Sequence, residues 1–493
     1  MKQKSYVFLV LMTMGGLLVH GYHPAAEDGE IYIPGIKKIL SPGLYPFGSE
    51  FFLNHARMTQ FGNLIAGSVR ISHLSFDLAM FVWYVASLIL TLLACWEWSG
   101  EFFQELEARW TGVALVAGLL TLPVAGTSLY IFDQYLTPRS IVFFALLFGT
   151  LDAWRGRYIR FAVWSLFAAL IHPLMAAFGI SFGLLLVLLK RLRPAEAEKR
   201  AVIDHAYRMA AFSIFPSIGL STVASEAYRQ AADTRSYFFI LRWEWYEWVG
   251  IFAPLVLFWW FSRMARAKPG SALRVVSQAL IVYGCFYFLA ALVLTIPARL
   301  LPLARLQPMR SLHLLYVFLI LIGGGLLGAH VLKRHAWRWI LLFAPLCGGM
   351  WFAQRQLFPG SPHIEWPGAA PSNDWLRAFE WVQRNTPADA VFALDPNYML
   401  NDDQHGFRAI AERSRLADAV KDSGAITMFP EPPFAEHWLE QVSDQKGWEH
   451  FQSADLRRLQ QKYGISWVVL QRPGIAGLTC PYTNSMLLVC RLD

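Results

Sequence analysis

The first group of side chains able to do chemistry is Tyr22-His-Pro-Ala-Ala-Glu-Asp-Gly-Glu30, which sets Glu27, Asp28 and Glu30 just past an apolar run. Carboxylates at the mouth of a membrane helix can accept a proton from an incoming nucleophile or hold a divalent cation, Mg²⁺ or Mn²⁺, through oxygen ligands. A solvated acidic turn has the same spacing, so the segment alone does not choose between them.

Three further polar sites interrupt apolar stretches: Thr137-Pro-Arg139, His172-Pro173 and Gln307-Pro-Met-Arg310. Ionisable groups in or beside a bilayer are costly and point to function. The Arg310 guanidinium suits bidentate phosphate binding, although an arginine at a boundary also snorkels to headgroups. His172 before proline reads as a bend whose freed backbone groups are re-satisfied. A segment with Arg235, Arg242, Trp243, Glu244, Trp245 and Trp248 mixes charge and indole, as an interfacial anchor does, or a platform for lipid phosphate or sugar. Cys480 and Cys490 flank an expected hairpin, where they are either a disulfide or two reduced thiols. There is no P-loop, no GxGxxG after a strand and no HExxH, and no zinc-type cysteine spacing.

The elements that carry these groups are membrane spans. Of the 493 residues, 55% are hydrophobic and 16% charged, against about 25% charged in soluble domains. The net charge of +8 is spread in short clusters between apolar runs, which fits topology and not nucleic acid. Tyr6 to Val19, after Lys2 and Lys4, has the layout of a secretory signal, but the many spans that follow make it an uncleaved first helix. Further spans are expected at 76–96, 111–131, 138–153, 160–174, 175–190, 207–223, 249–263, 275–296, 311–331 and 337–354, about eleven transmembrane helices in all. The 160–190 stretch is either one bent span or a tight pair.

Basic clusters at Arg155/Arg157/Arg160, Lys190–Arg200, Arg263–Arg274 and Lys333–Arg338 alternate between spans, and short cytoplasmic loops are enriched in such residues. With the N-terminus cytoplasmic, the loop 21–75, the loops 224–248 and 297–310, and everything after Gln354 lie outside. Within the loop 21–75, Ile31–Leu40 and Ser49–Met58 have the apolar spacing of interfacial helices that roof a cavity, or of packing elements. The expected organisation is a transmembrane domain over 1–357, a Pro- and Gly-rich linker over 358–372, and a small soluble α/β domain over 373–493. Its helices are expected at 373–385 and 455–463, and its strands at 389–394, 466–470 and 486–491.

Taken in order, Glu27-Asp28 with Ile31-Tyr-Ile-Pro34, Thr137-Pro-Arg139, His172-Pro173, Trp243-Glu-Trp-Tyr-Glu-Trp248, Gln307-Pro-Met-Arg310 and Trp381-Val-Gln-Arg-Asn-Thr-Pro387-Ala-Asp-Ala-Val-Phe392 resemble the GT-C superfamily of integral membrane glycosyltransferases, particularly bacterial members with a C-terminal outer domain. The resemblance implies a polyprenyl-phosphate sugar donor in the cytoplasmic (inner) membrane and an acceptor met on the periplasmic or extracellular side. It gives Asp28, with Glu27 beside it, the role of catalytic base or metal ligand. Arg310, with Arg139, would hold the donor phosphate, leaving Glu30, His172, Arg242 and Trp245 as substrate-contacting or structural residues. The Trp-Trp-Asp-Tyr-Gly motif of oligosaccharyltransferases is missing, so protein N-glycosylation is not implied. The competing class is a non-catalytic protein of the cell envelope that binds or transports polyprenyl lipid; a transporter is expected to show repeated halves, and no repeat is found.

Overall fold

The computed structural model describes residues 3–191, 224–264, 271–429 and 431–492. It is mostly helical. Among the described residues, Phe76–Phe102, Pro173–Arg191, Ala272–Thr295, Arg299–Leu332 and Ala336–Leu357 are long and apolar enough to cross a membrane, and Ser5–His20 and Tyr158–Ile171 are shorter apolar helices. The expected span at 207–223 lies outside the described residues.

The expected span at 111–131 is divided. A helix runs Leu106–Gly118, and the chain then turns through an antiparallel pair, β1 (Pro123–Val124) and β2 (Leu129–Tyr130). Pro123 has no N–H to give a helix and its ring clashes with the preceding turn. The 160–190 stretch is a pair, Tyr158–Ile171 and Pro173–Arg191, broken at His172, and both helices pack on Pro138–Trp154. Pro138–Trp154 is buried on nearly all sides, the state expected of a helix that is apolar all round. Ile159, Val163, Leu166 and Leu170 of its neighbour are exposed, facing where lipid would lie.

The helices share two polar ends. At one, Glu97 and Glu101 pair with Arg155 at 3.1 and 2.8 Å, Lys190 Nζ donates to the Trp154 carbonyl at 2.7 Å, and Arg334 meets Glu107 at 2.7 Å. At the other lie the first loop, the start of Pro138–Trp154 and the C-terminal domain. The first loop folds into Gly29–Leu40, Glu50–Arg57 and Phe61–Ser72. The first two pack beneath the C-terminal domain and the third against Phe76–Phe102; Lys37 Nζ donates to Ala409 O at 2.8 Å, and Tyr45 Oη, from the turn after the first of them, to Arg408 O at 2.9 Å.

The C-terminal domain opens with the helix Asp374–Asn385, whose first turn is capped by Asn373 Oδ1 accepting from Trp375 N at 2.7 Å. Its five-stranded sheet consists of β3 (Val391–Ala393), β4 (Ser414–Arg415), β5 (Trp467–Gln471), β6 (Thr479–Thr483) and β7 (Leu487–Arg491), in the order β4-β3-β5-β7-β6. The β4-β3-β5 part is parallel and the rest antiparallel. Cys480 and Cys490, on neighbouring strands, are joined by a disulfide. Residues 358–372 do not hang free: Tyr22 N donates to His363 O at 3.1 Å and Glu365 N to Tyr22 O at 2.9 Å, lacing this segment to the first loop.

Helices Leu106–Gly118 and Leu312–Leu327 cross closely through glycines. A Cβ on Gly112 would stand 2.6 Å from Leu321 O, and one on Gly324 would stand 2.9 Å from Gly112 Cα. Small residues let membrane helices approach in this way. Gly112→Leu is expected to lower the melting temperature of detergent-solubilised protein, consistent with an overpacking cost of about 1–3 kcal/mol, whereas Gly349→Leu, at an open position, leaves it unchanged. Thermal unfolding followed by intrinsic fluorescence checks both.

Candidate functional site

Thr137-Pro138 starts a helix for local reasons. Thr137 Oγ1 accepts from Ser140 N and Ser140 Oγ accepts from Thr137 N, both at 3.3 Å, and proline suits the first helical position. Arg139 is thereby held in the first turn, where the helix dipole disfavours a cation. Carboxylates compensate. Asp133 Oδ2 accepts from Arg139 Nη2 at 3.0 Å and Asp28 Oδ2 from Arg139 Nη1 at 3.0 Å.

The other side of Asp28 faces Lys421 of the C-terminal domain, whose Nζ is 3.5 Å from Asp28 Oδ1 and also bonds Glu27. Arg310 lies close enough for its charge to act on Asp28. Burial opposes ionisation of Asp28, but Lys421 and Arg139, with Arg310 further off, outweigh it and hold the carboxyl well below the usual carboxylate range. Asp28 and Glu27 keep 28% and 38% of their side-chain surface open. Glu27 adopts φ 53°, a conformation costing of order 1 kcal/mol, and its amide donates to Gln404 O of the C-terminal domain at 2.8 Å.

The predicted residues separate into groups. Glu27, Asp28, Arg139 and Arg310 share one electrostatic neighbourhood, and His172 lies within reach of the charges of Arg139 and Arg310. Arg139 and Arg310 nevertheless line different small cavities, the first with Asp133 and His313, the second with Tyr237 and Thr127. The Arg310 guanidinium lies over the Tyr237 ring at 5.3 Å, and its Nε has no hydrogen-bond partner among the described residues. Arg242 and Trp245 stand apart: Arg242 pairs with Asp233 at 2.7 Å on the surface, and Trp245 is 75% exposed. Between Arg242 and Trp248 only Trp243 is buried.

Glu30 points away from Asp28 into a fully buried network. Arg408 makes a bidentate pair with Asp422 at 2.9 and 2.8 Å and meets Glu30 at 3.4 Å, while Ala409 N donates to Glu30 Oε2 at 3.2 Å. Arg415 and Asp418 complete it at 3.8 Å. Three buried carboxylates thus face two guanidiniums, and burial, against the pull of Arg408 and Arg415, pushes Glu30 up to about 7. Gly406 makes this packing possible, because a Cβ there would lie 2.9 Å from the Glu30 Cα.

Beside this network is a second constellation that sequence reasoning missed. Glu365 Oε1 accepts from His23 Nδ1 at 2.9 Å and His405 Nε2 at 2.8 Å, and His405 Nδ1 donates to Asp403 Oδ1 at 2.7 Å. Burial works against the charged form of His405, but Glu365 and Asp403 prevail and raise it to about 10. Burial likewise opposes ionisation of Glu365, yet the two histidines bring it down to about 2. Sequence reasoning missed Lys421 and Glu365, whose partners are remote in the chain, and also Asp133 and His405, although Arg139 and Asp403 stand only six and two positions away; for Lys421 and His405 the local signal was the charge density of 402–422 among alanines.

Fold and site together describe a multi-helix membrane-embedded protein whose polar mouth is closed by a C-terminal domain. Residues 373–422, which include most of the C-terminal side of both constellations, match a family model described as a domain of unknown function, DUF6798. No curated protein matches the chain. Among solved structures, the chain is similar to the crystal structure of an Archaeoglobus fulgidus oligosaccharyltransferase in complex with zinc and sulfate, with 13% identity over 94% of this chain and 68% of that one and a TM-score of 0.45.

The raised Glu30 has a defined pH consequence. The folded state holds this proton more tightly than the unfolded chain, so its contribution is full below about 4.5 and is lost as pH rises through about 7. A glutamine amide at this position has no proton to lose over that range. The stability of Glu30→Gln relative to wild type is therefore expected to grow by about 1–3 kcal/mol between pH 4.5 and 7.5, read from paired thermal melts across that range.

Proposed function

We propose that this chain is a membrane glycosyltransferase that moves a sugar from a polyprenyl-phosphate donor to an acceptor at the face carrying the first loop. The observation that carries this reading is the convergence of Arg139, Lys421 and Arg310 on Asp28 at the mouth of the helices. The start of a helix plus a guanidinium is an anion-binding arrangement, and the Nε of Arg310, without a partner among the described residues, is a donor in want of an acceptor. The positive-inside rule supports a cytoplasmic position for the end holding Arg155, Lys190 and Arg334, with the first loop and the C-terminal domain outside.

In this reading the acceptor hydroxyl attacks C1 of the sugar. The bond from C1 to the phosphate oxygen breaks, and its electron pair leaves with the polyprenyl phosphate, whose growing charge falls on Arg310 and Arg139. The phosphate competes with Asp28 for Arg139, and the carboxylate so released accepts the hydroxyl proton. A divalent cation does not fit at Asp28 and Glu27, because their oxygens already face Arg139 and Lys421 and an ion would meet like charges. No step is routed through one.

A second reading, binding of polyprenyl lipid without transfer, is favoured by the same ion pairs, since a carboxylate held so far down is a weak base. Transfer of radiolabelled sugar from polyprenyl-phosphate donors by purified full-length protein separates the two. Asp28→Asn is expected to lose about 10²–10⁴-fold in turnover. Arg310→Ala is expected to raise the KM for donor about 10–100-fold, the loss of one charge-assisted hydrogen bond. Equal turnover by wild type and Asp28→Asn removes Asp28 from the mechanism, and donor binding with no transfer by wild type selects the second reading.

A further inference from the structure

We infer that His23, Glu365 and His405 form a site for a divalent transition-metal ion of the zinc class, which clamps the C-terminal domain to the first loop. The inference is independent of the glycosyltransferase reading. One atom from each of the three residues lies within 4.8 Å of the others, and both imidazoles are fully buried. Two nitrogens and one carboxylate oxygen are the donor set of zinc or its neighbours, while Mg²⁺ and Ca²⁺ take oxygen ligands.

The surroundings are those of a metal centre. Asp403 Oδ1 accepts from His405 Nδ1 at 2.7 Å, which fixes the ring and turns Nε2 toward Glu365. A carboxylate behind a ligating histidine does this in metal sites generally. His23 is held by stacking on Phe358, with ring centroids 3.7 Å apart, and turns its Nδ1 toward Glu365. The oxygen-to-nitrogen separations of 2.8 and 2.9 Å need to open only by about half an ångström to reach the ligand spacing of a tetrahedral ion with bonds near 2.0 Å. A divalent ion would also balance the two carboxylates, Glu365 and Asp403, whereas one proton on His405 leaves a buried negative charge.

The three ligands come from three parts of the chain. His23 follows the first helix, Gln3–His20; Glu365 follows Ala336–Leu357; and His405 belongs to the C-terminal domain and bridges to Ala26 of the first loop. Fixing them fixes how the domain sits over Glu27 and Asp28. The enclosure of the histidines suits a structural ion better than one that turns over substrate.

The test uses full-length protein in detergent, stripped with chelator and dialysed, then titrated with Co²⁺ and read by visible absorption, with Zn²⁺ displacing the signal. Wild type is expected to take up one equivalent with the d–d bands of a four- or five-coordinate ion, and its melting temperature is expected to rise with Zn²⁺. His405→Ala should lose the bands, Glu365→Gln should bind at least 10-fold more weakly, Asp403→Asn about 10–100-fold more weakly, and Asp28→Asn like wild type. The inference is overturned if wild type takes up no stoichiometric metal, if Glu365→Gln and His405→Ala bind as wild type does, or if only Asp28→Asn loses the ion. Because wild-type uptake decides the first outcome, misfolding of a variant cannot rescue the proposal.

Discussion

Burying charge without water sets the terms for everything at the end of this molecule that carries the first loop. Glu30, Arg408, Arg415, Asp418 and Asp422 are all almost completely enclosed, and an unpaired ion in such a place costs several kcal/mol. The first loop supplies one member, Glu30, and the C-terminal domain the other four. Arg408 with Asp422 and Arg415 with Asp418 pair within the domain, whereas Glu30 meets a guanidinium only when the domain is seated. Removing one partner of a buried pair costs about 3–5 kcal/mol, which makes this contact a lock on the domain position and not a loose surface association.

That lock decides the composition of the mouth. Lys421 precedes Asp422 in sequence, and Asp418 Oδ1 accepts from the amides of both residues, so once Asp422 is bound to Arg408 the lysine is directed at Glu27 and Asp28. The C-terminal domain therefore completes the site as well as covering it. The positive φ of Glu27 belongs to the same arrangement: its backbone strain is offset by a hydrogen bond to Gln404, two residues from Gly406, whose lack of a side chain lets the chain pass against Glu30.

Much of this was legible in the chain, for identifiable reasons. Carboxylates next to an apolar run are rare enough that Glu27, Asp28 and Glu30 stood out, and Thr137-Pro138 is a local helix-start signal, so Arg139 could be placed at a helix mouth. In the C-terminal domain the helices Asp374–Asn385 and Ser453–Tyr463 and the strands β3, β5 and β7 followed from periodicity and the asparagine cap, with boundaries shifted by a residue or two, whereas the helix Pro432–Asp444 and the strands β4 and β6 were not foreseen. What periodicity could not show was partnership. Arg139 and Asp28 are 111 positions apart, Lys421 and Glu27 are 394 apart, and Glu365 sits in a stretch whose prolines and glycines signal only a linker. Glu30 read as one of three equivalent acids, yet it faces the opposite way from Asp28, because the helix begins at Gly29 and turns it into the domain. Span length failed at 111–131 for a different reason: hydropathy does not register that a proline ends a helix where a tight hairpin can take over.

The placement of Arg139 argues for an anionic ligand on energetic grounds. A guanidinium in the first turn of a helix adds to the positive end of the dipole, a cost of roughly 0.3–1 kcal/mol at a surface and more where water is scarce. A protein needing only a structural cation for Asp133 could place it elsewhere. Here the unfavourable position is held by two carboxylates of unequal commitment: Asp133 is buried and takes two of the three guanidinium nitrogens, while Asp28 takes one and remains partly open. Asp28 is thus the exchangeable partner. An arriving phosphate would replace a singly bonded carboxylate with a group of higher charge, would meet the helix N-terminus and Lys421 at the same time, and would leave Asp28 free beside it. In the proposed reading, the resting ion pair and the liberated base would be two states of one site, switched by the ligand's own charge.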